Sequence, residues 1–187
     1  MRIIAGKARG TKLKSPSEDM PVRPTGDRVK EAVFSAIQFE IKGRVLDLFA
    51  GSGQLGLEAL SRGAEHAVFC DNNPDSIELI KENIKRTKSE DLCEVILTDY
   101  KRYLRHTCTY KFDVVFIDPP YNTGLSDKAL AYLGEGTLLS TDCVVVVECP
   151  MDEKKPEETG VLKQKKRYTY SGVSCVVYTR ARRRENE

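Results

Sequence analysis

The chain has 187 residues, 40% of them hydrophobic and 31% charged, with a formal net charge of +2 at pH 7. This length predicts one substantial hydrophobic core. No apolar run approaches the length of a membrane span or follows the basic N-terminus as in a signal peptide. Six scattered cysteines without a Cys-x-x-Cys pair indicate reduced core thiols, and two distant histidines argue against a metal site. We therefore predict a cytoplasmic protein.

The two ends of the sequence are basic. Residues 1–14 contain five Lys or Arg residues and residues 163–184 contain eight, with no acidic residue in either stretch. Because the net charge of the whole chain is only +2, the region between them is acidic. Basic ends on an acidic body indicate a polyanionic partner, although runs of charge are more often solvated surface.

The N-terminal region predicts a hairpin followed by a helix. Residues 2–5 and 11–13 have the pattern of two short strands joined by a basic, glycine-flanked turn. Three prolines then mark a loop. A helix is predicted to begin with Thr25 or Asp27 as its N-cap and to run to about Phe39.

From residue 43 onward, predicted strands alternate with predicted helices. This alternation indicates a doubly wound parallel sheet with helices on both faces, closed at one edge by an antiparallel hairpin. We thus predict an α/β, Rossmann-like sheet of seven strands in a main domain, residues 43–187, preceded by a small extension, residues 1–42. The predicted strands are 44–49, 67–70, 94–97, 113–117, 143–149, 161–170 and 173–179.

A change of character after the fourth predicted strand marks the first candidate site. The apolar stretch ends in Asp118-Pro119-Pro120-Tyr121. Neither proline has a backbone N–H and each fixes its own φ, so the chain leaves the sheet as a stiff loop rich in acceptors. The Asp118 carboxylate and the Pro119 carbonyl are suited to accept hydrogen bonds from the exocyclic amine of a nucleobase, with the Tyr121 ring on its face. An ordinary strand-ending turn is the alternative.

The loop after the first predicted strand is the second candidate site. Gly51-Ser52-Gly53-Gln54-Leu55-Gly56 matches the G-x-G-x-x-G pattern, and Asp71 follows at the spacing expected for a carboxylate that binds ribose hydroxyls. The pattern alone also fits a dinucleotide cofactor or a simple turn. Four carboxylates at neighbouring strand ends favour a cationic ligand such as S-adenosylmethionine over a pyrophosphate. They are Asp47, Asp71, Asp99 and Asp118.

Several motifs together resemble known methyltransferases. Val45-Leu46-Asp47-Leu48-Phe49-Ala50-Gly51-Ser52-Gly53, combined with Asp118-Pro119-Pro120-Tyr121, resembles S-adenosylmethionine-dependent enzymes that modify exocyclic amines. Segments 2–6, 23–34 and 57–64 are more specifically similar to the RsmD family, whose members methylate the 2-amino group of a guanine in small-subunit (16S) ribosomal RNA. The resemblance covers nearly the whole chain in order and implies a class I methyltransferase fold.

The resemblance also implies roles for individual residues, with ribose at Asp71 and adenine at Asp99 and Tyr100. The chain departs from the family at the second strand, where Asp71 stands in place of a longer glutamate. The expected cofactor-binding residues are Asp47, Phe49, Ala50, Gly51, Ser52, Gly53, Asp71, Asn72, Asp99 and Tyr100. The expected substrate-binding residues are Arg2, Lys7, Arg9, Lys12, Arg23, Thr25 and Arg28, and the expected catalytic residues are Asp118, Pro119, Pro120 and Tyr121.

The sequence therefore predicts an S-adenosylmethionine-dependent enzyme that methylates the 2-amino group of a guanine in 16S ribosomal RNA, acting as a monomer without a metal. The small subunit or an assembly intermediate is the expected form of the substrate. Three alternatives stay open. The Asp118 loop is neutral between guanine and adenine, so a DNA adenine-N6 methyltransferase is one. An NAD-dependent oxidoreductase and a non-catalytic RNA-binding module are the others.

Overall fold

The computed structural model describes residues 1–17, 26–170 and 172–181. The strands are β1 (Arg44–Asp47), β2 (His66–Asp71), β3 (Cys93–Leu97), β4 (Phe112–Ile117), β5 (Leu139–Pro150), β6 (Glu158–Thr159), β7 (Leu162–Tyr170) and β8 (Val173–Arg180). The helices are α1 (Asp27–Ala36), α2 (Gln54–Ser61), α3 (Pro74–Thr87), α4 (Tyr100–Arg102) and α5 (Leu125–Gly134), with a 3₁₀ turn at Glu90–Leu92 and a π turn at Tyr103–Thr107. Within these described ranges, no helix has the length and apolar character needed to cross a membrane.

All eight strands form one sheet in the order β3-β2-β1-β4-β5-β8-β7-β6. The first five of these are parallel, whereas β8 runs antiparallel between β5 and β7 and β6 pairs antiparallel with β7. The predicted Rossmann-like sheet with an antiparallel C-terminal hairpin is confirmed. The predicted count of seven strands is wrong because β6, with two residues, is too short to produce a strand pattern in the sequence.

Successive side chains of each strand point to opposite sides of the sheet, and helices cover both sides. Val45 of β1 packs in a buried cluster with α1, α2 and α3, and the next residue, Leu46, packs in a second cluster with α5 and the π turn. Strands buried on both faces are expected to be almost continuously apolar, and β4 and β5 follow this rule. The exceptions are Asp113 and residues 140–142 at the amino ends of the two strands, and Glu148 near the carboxyl end of β5.

The N-terminal segment does not form the two predicted strands. A single antiparallel bridge joins Arg2 to Lys12. Backbone hydrogen bonds on either side of this bridge, from the Ile3 N–H to the Thr11 carbonyl and from the Leu13 N–H to the Met1 carbonyl, keep the two segments paired. The pairing ends beyond Ile3, where the Ile4 and Ala5 N–H groups donate to the Glu58 carboxylate of α2, at 2.8 and 3.1 Å. The predicted strands are therefore reduced to a minimal hairpin fastened to a helix.

The first helix is shorter than predicted. Gly26 is its N-cap, in place of Asp27, which is its first residue; Thr25 lies outside the described residues. The helix ends at Ala36 because Ile37 leaves the helical region at φ −116° and ψ 18°. Its buried side chains share one cluster with the sheet. The division into an extension (1–42) and a main domain (43–187) stays a prediction.

Candidate active site

A cavity of about 650 Å³ opens beyond the carboxyl ends of β1, β2 and β4. Strand β1 lies between β2 and β4, so the cavity occupies the topological switch point of the sheet, where open α/β folds bind ligands. All four expected catalytic residues line it, as do the expected cofactor-binding residues except Gly53. The start of α1, the end of β5 and the start of β8 complete the wall through Gly26, Val29, Glu148 and Val173.

The glycine loop between β1 and α2 needs its three glycines for different reasons. Gly51 and Gly53 have positive φ angles of 53° and 77°, a region that residues with a side chain rarely adopt. Gly53 is also the N-cap of α2, so it shapes the turn without lining the cavity. A Cβ on Gly56 would lie 2.4 Å from Cε1 of Phe69, so only glycine lets α2 approach β2 this closely.

Asp71 joins the glycine loop to the start of α3. Its Oδ2 accepts a hydrogen bond from the Gly51 N–H at 2.8 Å, and its Oδ1 accepts one from the Asn73 N–H at 2.9 Å. Asn73 in turn caps α3 by accepting from the Asp75 N–H at 2.9 Å. A carboxylate offers about four acceptor sites. Asp71 can therefore hold the loop and still accept hydrogen bonds from ribose hydroxyls.

Asp47 lies at the bottom of the cavity and is almost completely buried, with 1% of its surface exposed. Its Oδ2 accepts a hydrogen bond from the Gly56 N–H at 3.0 Å. Burial raises the pKa of Asp47 from its ordinary 3.8 to about 7; the Gly56 hydrogen bond opposes this rise and the negative charge of Asp71 adds to it. Near neutral pH this carboxyl group is poised between its two protonation states.

Asp47→Asn is expected to reduce the pH dependence of stability. The folded-state pKa of Asp47 lies above its unfolded value, so the folded state holds a proton that the unfolded state releases. The resulting stabilisation is complete below a pH of about 3.8 and is lost as the pH rises through about 7. Between about pH 5 and pH 8, the melting temperature of the variant should rise relative to that of the wild type, and the difference should then level off. A constant difference would contradict the raised pKa.

Aromatic side chains form the wall beyond Asp71. The rings of Phe49 and Tyr100 both line the cavity, with centroids 5.3 Å apart. Asp99 precedes Tyr100 and caps the short helix α4, because its Oδ1 accepts from the Arg102 N–H at 3.0 Å. A flat purine with an exocyclic amine would find stacking surfaces and an acceptor here.

The Asp118–Tyr121 loop forms the opposite wall. It is closed by a hydrogen bond that the Thr123 hydroxyl donates to the Pro120 carbonyl at 2.7 Å. The chain then turns into α5 through positive φ angles at Asn122 and Gly124. The Tyr121 hydroxyl donates a hydrogen bond to Oε1 of Glu148 at 2.9 Å. The stacking hypothesis for Tyr121 used only its ring; the structure adds a partner for the hydroxyl.

Glu148 and Gln54 are among the cavity residues that the sequence analysis did not predict. Glu148 is the only charged residue in the apolar run 143–149, and that isolation was a signal that could have been used. Gln54 lies inside the glycine pattern at one of its variable positions, which carry no signal of their own. Its Oε1 is buried and has no hydrogen-bond partner among the residues that the structure describes.

The cavity fits S-adenosylmethionine. Its volume is within the range of about 300–1,000 Å³ that is typical of small-molecule sites. The sulfonium and ammonium groups of the cofactor match a wall of carboxylates, and the buried Gln54 oxygen is an acceptor in need of a donor. Asp47 and Asp71 both hydrogen-bond to N–H groups of the glycine pattern, and Phe49 and Tyr100 offer ring faces on which an adenine could stack.

The expected substrate-binding residues lie outside the cavity. Arg2, Lys7, Arg9, Lys12 and Arg28 are all exposed, and none of them lines the cavity. Arg23 and Thr25 are outside the described part of the chain. Arg2 is 3.4 Å from Asp27 in an exposed ion pair. The RNA-binding role of this set stays a prediction.

The fold and the cavity together define a class I S-adenosylmethionine-dependent methyltransferase. The family model described as Conserved hypothetical protein 95 matches residues 1–179. The chain therefore belongs to the RsmD family, as the resemblance of its motifs predicted.

Relatives of known sequence and solved structures support this family assignment. Ribosomal RNA small subunit methyltransferase D of Haemophilus influenzae is 38% identical over 170 residues, covering 88% of each chain. The protein of the same name from Escherichia coli K12 is 34% identical over 158 residues, which is 83% of this chain and 78% of that one. A conserved hypothetical protein of Streptococcus pyogenes has a TM-score of 0.76 at 35% identity, covering 81% of this chain and 95% of its own.

A more distant structure supports the fold alone. An RNA methyltransferase from Salinibacter ruber, solved in complex with S-adenosyl-L-homocysteine, has a TM-score of 0.63 at 18% identity. The match covers 88% of this chain and 98% of that one. At this level of sequence identity, the comparison supports a shared arrangement of sheet and helices and nothing further.

Proposed function

We propose that this protein transfers a methyl group from S-adenosylmethionine to the 2-amino group of a guanine in 16S ribosomal RNA. One observation carries the proposal: the Asp118–Tyr121 loop and the glycine loop line the same cavity, on neighbouring strands β4 and β1. A methyl donor bound at the glycine loop and an amine bound at the Asp118–Tyr121 loop would therefore lie in the same cavity. The names of the Haemophilus and Escherichia relatives support small-subunit ribosomal RNA as the substrate.

The proposed mechanism relies on positioning and electrostatics. When bound, the cofactor supplies an electrophilic methyl group on a sulfonium. The Asp118 carboxylate and the Pro119 carbonyl accept hydrogen bonds from the amine, whose lone pair is otherwise delocalised into the ring. These bonds strengthen as positive charge develops on the nitrogen, so they stabilise the transition state more than the bound substrate. The Tyr121 ring stacks on the base and fixes its orientation.

Labelled S-adenosylmethionine tests the proposal. The protein is incubated with small-subunit particles that lack the modification, with naked 16S ribosomal RNA, or with duplex DNA, and the products are digested to nucleosides. We expect 2-methylguanosine from particles or RNA. Labelled N6-methyladenine from DNA would support the adenine alternative. A rise in melting temperature with NAD and none with S-adenosylmethionine would support the oxidoreductase, because a ligand of the native state stabilises it.

The basic N-terminal turn is proposed to hold the phosphate backbone of the RNA. Lys7, Arg9 and Lys12 are exposed, and each cation that neutralises a phosphate contributes to the salt dependence of binding. Replacing all three by alanine should weaken RNA binding and flatten the plot of log affinity against log salt by about 2–3 in slope. Affinity for S-adenosylmethionine should not change. Filter binding or fluorescence anisotropy at several salt concentrations measures the affinity for RNA and its salt dependence.

A matched triple variant controls for the loss of net charge. Lys81, Lys85 and Lys111 are also exposed, on α3 and just before β4. Their replacement by alanine should leave the salt slope near the wild-type value. If the N-terminal variant keeps the wild-type slope, the phosphate contact belongs elsewhere, and the second basic stretch, residues 163–184, becomes the candidate.

Tyr121 distinguishes the role of the ring from that of the hydroxyl. Stacking on a base is worth about 1–3 kcal/mol, so Tyr121→Ala should lower kcat/KM by roughly tenfold to a hundredfold. Tyr121→Phe keeps the ring and loses only the hydrogen bond to Glu148. It should lose distinctly less activity. Equal losses in the two variants would show that the hydroxyl, and not stacking, is what the reaction needs.

A further inference from the structure

Glu148 and Asp118 are neighbours on the same face of the sheet. In the parallel pairing of β4 with β5, Ile117 lies opposite Val147, so the residues that follow are Asp118 and Glu148. Adjacent strands are about 4.8 Å apart. Two residues earlier, Phe116 and Val146 both belong to the buried cluster on the α1 side. By alternation Asp118 and Glu148 face that side too, and both line the cavity.

The Glu148 side chain is held in a fixed orientation. The residue is 9% exposed and directly follows the buried apolar run 143–147 of β5. The Tyr121 hydroxyl donates to its Oε1 at 2.9 Å. An ionised carboxylate is an acceptor with about four sites, so one hydroxyl donor is compatible with a further donor from a ligand. Tyr121 thus links the base-stacking ring to an oriented acceptor.

The edges of the two purines differ in what they offer such a pair of acceptors. Guanine presents two donors side by side, the 2-amino group and N1–H. Adenine presents its amine beside N1, which is an acceptor. When the exocyclic amine is bound at Asp118, N1 of the purine lies next to the Glu148 carboxylate. Guanine satisfies both acceptors, whereas adenine places a lone pair against a carboxylate.

We propose that Glu148 selects guanine by accepting a hydrogen bond from N1–H while Asp118 accepts one from the 2-amino group. This rests on the proposed function and supplies what the Asp118 loop lacks, a means of telling guanine from adenine. A site built to bind an N–H discriminates against analogues without it, because the acceptor that faces the base loses that donor. An acceptor facing an acceptor adds a repulsive contribution to that selectivity.

The test uses 2-aminopurine, which keeps the 2-amino group but has an unprotonated N1. Once the methylated guanosine is located, RNA is prepared with guanine or 2-aminopurine at that position. Wild-type protein should favour guanine in kcat/KM by about tenfold to a hundredfold, as expected for a charge-assisted hydrogen bond. In Glu148→Gln the ratio of kcat/KM on guanine to kcat/KM on 2-aminopurine should fall by about tenfold or more, because the amide N–H₂ can donate to N1.

Glu148→Gln is nearly isosteric and keeps an oxygen for the Tyr121 hydroxyl, so loss of that contact does not confound the result. Asp99→Asn is the matched control. It removes another carboxylate from the same cavity and should leave the ratio unchanged, whatever it does to the rate. Circular dichroism and thermal unfolding without cofactor verify that both variants fold.

Two results would overturn the role of Glu148: equal wild-type rates on guanine and 2-aminopurine, or an unchanged ratio in Glu148→Gln. The first needs only wild-type protein, so a variant that does not fold leaves the test intact. Failure of the proposed function is separate. It appears as the absence of 2-methylguanosine from wild-type reactions before any analogue is compared.

Discussion

Asp118→Ala is expected to lower the rate of methyl transfer by roughly a hundredfold to a thousandfold, as removal of one transition-state hydrogen-bond partner does elsewhere. The affinity for S-adenosylmethionine should change much less, because the main partner of Asp118 in the proposed mechanism is the amine. Single-turnover rates with enzyme in excess over RNA measure the chemical step. Calorimetric titration with S-adenosylhomocysteine measures cofactor binding.

Two further variants sharpen this result. Asp118→Asn keeps one neutral acceptor oxygen and should fall between alanine and the wild type, since hydrogen bonds to a charged acceptor are roughly twice as strong. Asp142→Ala removes an exposed carboxylate from the start of β5 and should leave the rate unchanged. Near-normal turnover of Asp118→Ala with intact folding would remove Asp118 from the mechanism.

The sheet could be predicted because its strands carry their own signals. The run 143–149 is apolar with β-branched residues, and the glycine loop and Asp118-Pro119-Pro120-Tyr121 each follow an apolar strand. Neighbouring β1 and β4 at the switch point then bring two motifs that start 67 residues apart, at Gly51 and Asp118, to one cavity, as the topology of such sheets requires.

Contacts between distant side chains and backbone could not be predicted in this way. The N–H groups of Ile4 and Ala5 bond to Glu58, 53 or more residues away, so a local strand pattern at the N-terminus was misleading. The hydrogen bond from Tyr121 to Glu148 likewise depends on how β5 is registered against β4. Register across a crossover is fixed by the packed core, and the sequence of either segment alone carries little of it.

Glu58 is the centre of the network that fastens the N-terminal turn to the sheet. Its carboxylate is fully buried and accepts from the Arg62 Nε at 2.7 Å, in addition to the two backbone N–H groups. Lys30 of α1 places its Nζ 3.4 Å from the same carboxylate and donates to the Arg2 carbonyl at 2.5 Å. Burial lowers the pKa of Lys30, which the charge of Glu58 opposes. The charge of Glu58 therefore offsets part of the effect of burying this ammonium group.

Glu58→Gln is therefore expected to destabilise the protein by about 3–5 kcal/mol, the usual cost of leaving a buried charge without its partner. For a chain of this length that corresponds to a fall in melting temperature of roughly 6–20 °C. Glu82→Gln is the matched control. Glu82 also pairs with two cations, Lys14 and Arg86, but on the exposed surface of α3, and exposed pairs contribute little. Thermal and urea unfolding measure both variants.

The double variant Lys30→Met with Glu58→Gln separates the ion pair from the rest of the network. Arg62 still lacks its carboxylate partner in the double variant, but the buried ammonium group of Lys30 is gone, so part of the stability lost in Glu58→Gln should return. Because the Lys7 N–H donates to the Ser61 carbonyl at 2.7 Å beside this network, loosening it should also weaken RNA binding through the basic turn. Strictly additive effects of the two substitutions would mean that Lys30 and Glu58 are not coupled, and the anchoring of the turn would then rest on the backbone hydrogen bonds to Glu58 alone.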